Sequence, residues 1–311
     1  MQERVIVGLM WLLSRLPLSL LHWIGHLVGW LVILFPNRQR RNALINLSLC
    51  FPNLTAREKI RLRNRCLCEF GKTYLEIAHL WLRPRQEMLD LVREVRGAEL
   101  LERVDGHGLI VLSPHLGAWE LAGMYLVAQG PTTIFLQAAE ISRPTDYRCP
   151  SSGRRHLGSN HRPRYSCACA MPKQWRVCRH LARPGTACQQ RRGIRTFFGI
   201  PAWTMVLVNR LARKSGARVI FMFAERLPRA AGFRIHCLSA PDDIDSDDDS
   251  VAAAALNLGI EQCIALCPEQ YLWPYRRFRR RPDDGPSLYR GGLRDYDAIE
   301  TAARIRRPVA H

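Results

Sequence analysis

Residues 108–129 read GLIVLSPHLGAWELAGMYLVAQ, and this stretch decides the fold. Residues 108–113, Gly108-Leu-Ile-Val-Leu-Ser113, form a short apolar run suited to a buried parallel strand. Pro114, His115, Leu116 and Gly117 read as a turn. Residues 118–129 carry apolar side chains at helical spacing. Strand, turn and helix are half of a βαβ unit, and such sheets bind ligands outside the carboxyl ends of their strands. His115 sits at that end. Glu120 follows in the first helical turn, from which a carboxylate can fold back onto the imidazole. In such a dyad the carboxylate fixes the ring tautomer and stabilises the imidazolium as the ring takes a proton. Gly117 lets backbone approach a substrate closely. A His and a Glu five residues apart are common by chance; the strand–turn–helix setting gives this pair its weight.

The same reading extends outward. Residues 86–104 predict a short helix and then a strand. Residues 217–227 (ARVIFMFAERL) and 232–240 (GFRIHCLSA) predict strands, with a helix over 201–216 that stops at Gly216 and another over 250–266. Upstream, 38–83 reads as helices, one of which should start at the capping box Thr55-Ala-Arg-Glu58. The acidic run 242–249 reads as a loop and the polar tail 283–311 as frayed. The expected class is α/β, a central mixed sheet flanked by helices.

From residue 16 to residue 37 there is no Asp, Glu, Lys or Arg. The apolar core, LPLSLLHWIGHLVGWLVILF, is about as long as a helix that spans a hydrocarbon layer. Trp23 and Trp30 suit an interface, and the basic cluster after Pro36 suits an inward-facing flank. Residues 1–36 are therefore expected to be a membrane anchor, spanning or lying in the plane. The alternative is a helix pair broken at Pro17 and packed inside a core.

The chain has 46 Lys and Arg against 27 Asp and Glu, a formal charge of +19, so its partners should be anionic. That charge is not evenly spread. Residues 148–195 hold 11 Arg, one Lys and no acid, together with five of the 11 Cys. Stacking aromatics are scarce there, which disfavours a nucleic-acid arm. The spacing of Cys167, Cys169, Cys178 and Cys188 is not that of a structural zinc site. Without helical or strand periodicity, the segment reads as one with no designed fold. A second basic run, Arg276 to Arg281, is either a docking face or a solvated charge run.

SPHLGAWE (113–120), FFGIPAWT (197–204), PEQYLWPYRRFRRRP (268–282), NLSLCFP (46–52) and the apolar N-terminus, in that order, resemble the lipid A biosynthesis acyltransferases, the late lauroyl and myristoyl transferases of Gram-negative lipopolysaccharide assembly. The resemblance covers roughly residues 1–136 and 197–282. It implies a glycerolipid-acyltransferase-like domain over 37–282, working at the cytoplasmic face of the inner membrane. The implied reaction moves an acyl chain, with lauroyl the expected one, from acyl carrier protein to a hydroxyacyl chain of a Kdo-bearing lipid A precursor. The family's catalytic motif maps onto His115 as general base and Glu120 as its orienting carboxylate. Gly117, Arg276 and Arg277 are the expected substrate contacts, and acyl carrier protein, the lipid A precursor and membrane lipid the expected partners. Neither metal nor cofactor is expected beyond the donor thioester, and no nucleic acid. Two stretches that the family leads one to expect between residues 137 and 196 are missing. Arg-, Cys-, Ser- and Pro-rich sequence is what a GC-rich gene gives out of frame, so a double frameshift across 137–196 is expected. The rival readings are an inactivated family member and a non-catalytic basic protein that binds anionic lipid or nucleic acid.

Overall fold

The computed structural model describes residues 2–102, 108–130, 192–279, 287–291 and 294–306. By contact the chain forms two units. The first comprises Met1–Gly123 and Arg191–His311, the second Met124–Gln190. Of the second unit only residues 124–130 are described, and of these 124–128 continue a helix that begins in the first.

A mixed four-stranded sheet organises the first unit. Its strands are β1 (Val92–Arg96), β2 (Leu109–Leu112), β5 (Arg218–Arg226) and β6 (Phe233–Ser239), in the order β1-β6-β5-β2. β2 runs parallel to β5, β1 runs parallel to β6, and β5 and β6 are antiparallel. β5 is buried along nearly its whole length, as its unbroken VIFMFA run requires when both faces are covered. Helices α7 (Leu207–Ser215) and α8 (Asp249–Leu266) share an apolar core with it through Ala212, Phe221, Phe223, Ala255, Leu256 and Cys263. Gly259 of α8 lies so close to Phe221 that a β-carbon there would sit 2.1 Å from the ring. The sheet and its flanking helices are thus the α/β arrangement that the sequence predicts.

Helix α4 (Ala56–Leu82) starts at the predicted capping box: Glu58 Oε2 accepts from the Thr55 amide at 2.7 Å and Thr55 Oγ1 from the Glu58 amide at 3.3 Å. Against it packs the N-terminus, which is not one 20-residue helix. Pro17 divides it into α1 (Gln2–Arg15) and α2 (Leu18–Leu34). Among the described residues no single helix is long and apolar enough to cross a membrane; α2 passes that test only together with α3 (Arg38–Cys50), from which an 85° bend separates it. One face of α2 (Leu18, Leu21, His22, Gly25, Gly29) is buried, while Leu20, Trp23, Leu27, Trp30, Leu31 and Leu34 face out. Gly25 and Gly29 bring the α2 backbone onto Lys72, Cys68 and Gly71 of α4, where β-carbons would approach backbone atoms to 2.6 and 2.4 Å. Gly29→Leu should therefore force the two helices apart and cost about 3 kcal/mol, read as a fall in the denaturant midpoint at unchanged slope.

Three other expectations change. Residues 200–205 form a strand, β4 (Ile200–Met205), and not the start of a helix; it pairs with β3 (Arg192–Phe197) in an antiparallel hairpin. Alternation on β4 buries Ile200, Ala202 and Thr204 and turns Pro201 and Met205 out, a period-two pattern masked by the near-uniform apolarity of the stretch. Residues 192–196, expected to belong to the aberrant segment, are thus part of a paired strand. The remainder of that segment, residues 137–191, lies outside the described residues. Finally, the described part of the polar tail is packed. Helix α9 (Asp295–Arg306) lies against α3, with Ala298 and Ala302 buried and Asp295 paired to Arg40 at 2.8 Å and Arg63 at 2.6 Å. Upstream of it, Tyr289 is buried and donates its hydroxyl to Asn46 Oδ1 at 2.6 Å.

Candidate active site

The turn after β2 is gripped from three sides. Leu116 bridges to Tyr271 and Gly117 to Ala224 at the end of β5. The Gly117 amide donates to the Gln270 carbonyl at 3.1 Å, and the Ala118 amide to the Ala224 carbonyl at 2.7 Å. Two residues in the turn adopt left-handed backbone, His115 at φ 51° and Gly117 at φ 62°. At Gly117 the reason is spatial as well as torsional: a β-carbon would fall 2.0 Å from the Ala224 carbonyl oxygen. Gly117→Ala should cost about 3 kcal/mol or more, from the strained φ and the displaced strand end together, seen as a lowered melting midpoint. A non-glycine residue at positive φ, such as His115, is uncommon, and such strain gathers where the fold over-determines a functional turn.

His115 is exposed at the carboxyl end of β2, with Trp119 5.4 Å away ring to ring. Desolvation by the surrounding protein lowers the imidazole pKa below the usual histidine value, and the Glu120 carboxylate acts the other way. The ring is therefore neutral near pH 7. Glu120 stands in the first turn of α6 (Trp119–Ala128). Its Oε2 accepts from the Trp81 indole of α4 at 3.2 Å, so its hydrogen-bond partner among the described residues is Trp81 and not His115. The two predicted residues are brought to one place and interact through space.

Beneath the turn lies a buried network that sequence reasoning missed. Arg226, at the end of β5, donates from Nη2 to the Gly117 carbonyl at 3.1 Å and to Thr73 Oγ1 at 2.7 Å, and from Nε to Glu76 Oε1 at 2.6 Å. His22 Nε2 meets the same Glu76 oxygen at 2.6 Å, and Glu69 Oε2 faces Arg226 Nη1 at 3.7 Å. Gln270 closes the other side, its Oε1 accepting from the Arg226 amide and its Nε2 donating to the Arg226 carbonyl. Burial pushes the Glu76 carboxyl upward, but Arg226 and His22 hold it down at about 2. The one signal in the sequence was Glu225-Arg226, a charged pair closing an apolar strand.

The two expected arginine contacts separate. Arg276 is exposed. Arg277 turns inward, donating to the Trp203 carbonyl, Thr204 Oγ1 and Asn257 Oδ1, with its guanidinium 5.0 Å from the Phe197 ring centroid. It braces the β3–β4 hairpin, a structural role that the sequence did not suggest. The described cysteines are buried thiols; burial raises Cys66 to about 12 and Cys263 likewise, which removes them as nucleophiles at neutral pH.

Residues 3–280 match the model of the bacterial lipid A biosynthesis acyltransferases. The chain is 26% identical to the lipid A biosynthesis lauroyltransferase of Escherichia coli (strain K12), over 91% of this chain and 93% of the relative. It is 26% identical to the palmitoleoyltransferase of the same organism, over 91% and 92%, and 24% identical to the myristoyltransferase, over 78% and 76%. A family match over most of the length, with the turn and helix in place, makes the chain an acyltransferase that belongs to the bacterial lipid A biosynthesis acyltransferase family.

Proposed function

We propose that the protein transfers a fatty acyl chain, lauroyl being the first candidate, from acyl carrier protein to a hydroxyl on an acyl chain of a Kdo-bearing lipid A precursor. The observation that carries the reading is the strained, buttressed turn that presents a neutral His115 at the end of β2 with Glu120 beside it. His115 takes the proton of the acceptor hydroxyl as that oxygen attacks the thioester carbonyl. The C–S bond then breaks, and the carrier's thiolate leaves with the proton that His115 returns, so the ester forms with no net proton change. Glu120 orients the ring and stabilises its charged form; with Oε2 held by Trp81, Oε1 is left to turn toward the imidazole. A thioester is already activated, so the reading assigns no metal or cofactor.

The enzyme works at the cytoplasmic face of the inner membrane, held in the plane of the bilayer by the outward apolar faces of α1 and α2 with Trp11, Trp23 and Trp30 at the interface. Acyl carrier proteins are acidic, and a basic surface raises the encounter rate. The test is transfer by purified membranes from lauroyl-, myristoyl- and palmitoleoyl-carrier donors to Kdo-bearing acceptor. Turnover with lauroyl fastest supports the reading. Fastest turnover with another donor replaces the chain length alone, and anionic-lipid binding without transfer by any donor would favour a non-catalytic protein.

A further inference from the structure

A cavity of about 440 Å³ opens where the start of α3 meets the loop after Pro274 and the turn at 287–291. Five arginines line it: Arg38, Arg41, Arg276, Arg279 and Arg290. No Asp or Glu is among its described lining. Arg41 is the built part. It is buried, its Nη1 and Nη2 donating to the carbonyls of Leu288 and Arg290 at 3.4 and 2.8 Å. The acid nearest to it in effect is Asp297, which partly offsets the lowering of the Arg41 pKa by burial. Arg38, Arg276, Arg279 and Arg290 make no ion pair or side-chain hydrogen bond among the described residues, unlike Arg40 and Arg63 close by, which share Asp295. Four guanidiniums gathered round one hollow repel each other unless an anion fills it. Guanidinium forks suit phosphate oxygens in particular.

The apolar face of α2 ends at Leu34 and Phe35, both well exposed, three residues before Arg38. With that face resting on a bilayer, Arg38 follows the last exposed apolar residue of α2 within three positions, near where headgroups begin. We propose that the cavity is a binding site for the phosphate group of an anionic lipid headgroup. This leans on the surface attachment proposed above and not on the chemistry at His115. The tie to the catalytic turn is short: Tyr271, bridged to Leu116, and Arg276 are five residues apart, at most about 18 Å of chain. A lipid held by its phosphate thus lies within reach of the turn, as an acceptor or as a neighbour that sets the enzyme's depth.

The experiment measures co-sedimentation of the full chain with vesicles of phosphatidylcholine alone and with added phosphatidic acid. Phosphatidic acid should tighten binding, and Arg38→Gln with Arg290→Gln should weaken the tightened binding by about thirtyfold. These side chains are exposed and make no ion pair among the described residues, so the fold is retained, and Arg38→Lys with Arg290→Lys should fall between. A control pair outside the cavity, Lys214→Gln with Arg229→Gln, should change binding less than about twofold. An equal loss in the control pair would show diffuse charge attraction and overturn the site. Competition by millimolar inorganic phosphate, with no preference for the lipid, would overturn the lipid source. An absence of vesicle binding would overturn it too. His115→Ala is carried alongside: unchanged binding with lost transfer separates this site from the catalytic reading.

Discussion

His115→Ala should abolish nearly all acyl transfer, at least about 10³-fold in kcat/KM, while vesicle binding and the melting midpoint stay near wild type. Among the described residues of the turn, 113–118, His115 is the one titratable side chain, and the described cysteines are buried thiols. Glu120→Ala should cost about 10²- to 10⁴-fold, and the double variant little more than His115→Ala, because an orienting group has nothing left to orient. The pH profile carries a separate sign. Desolvation by the surrounding protein lowers the His115 pKa, the neutral ring is the active form, and activity therefore rises with pH through that lowered value and levels above it. Glu120→Gln removes the carboxylate that raises the pKa, so the rising limb should move to lower pH while the plateau drops. A plateau unchanged in His115→Ala would remove the base from this residue. Independent, multiplicative losses from the two single changes would give Glu120 a role of its own, such as holding α6 to Trp81.

Arg226→Met should destabilise the protein by about 3–5 kcal/mol, the largest stability change expected at any single side chain here. It leaves Glu76 buried with His22 as its remaining hydrogen-bond partner among the described residues, and strips a donor from the Gly117 carbonyl. The carboxylate must then take a proton or force its surroundings open. Glu76→Leu together with Arg226→Met should recover a good part of the loss, since an apolar pair removes the stranded charge. Acid unfolding supplies the sign. The Glu76 carboxyl is held at about 2 in the folded protein, below its unfolded value. The ion pair's contribution is therefore complete above the ordinary carboxylate range and is lost as pH falls toward 2. In Arg226→Met that part of the acid slope should disappear. A wild-type slope in the variant would show that Glu76 is not held down by Arg226.

The sequence made the catalytic turn legible because its parts are local. An apolar run, a Pro-His-Leu-Gly turn and a helix start lie within a dozen residues, and each follows from spacing. The buttress was not legible because its members are far apart: His22 and Glu76 are separated by 54 residues, and Glu76 and Arg226 by 150. No period connects them. Arg276 and Arg277 were equally opaque, since adjacent residues of one type leave the choice of which points inward to Trp203 and Asn257, whose carbonyl and amide receive Arg277. The β3–β4 hairpin was misread because residues 200–208 are apolar on both faces, so helical and strand periods fit equally well, and Pro201 sits at an outward position where it interrupts nothing.

The glycine contact of α2 with α4 has a mechanical side. Thr73, Glu76 and Trp81 all stand on α4, and each touches the His115 turn, its helix or its buttress. Backbone lies directly on backbone at Gly25, Gly29 and Gly71, so at these points little side chain stands between the helices to absorb a shift. A load on the outer face of α2 is therefore passed to the turn as through a stiff lever. A tilt imposed on one end is a tilt at the other.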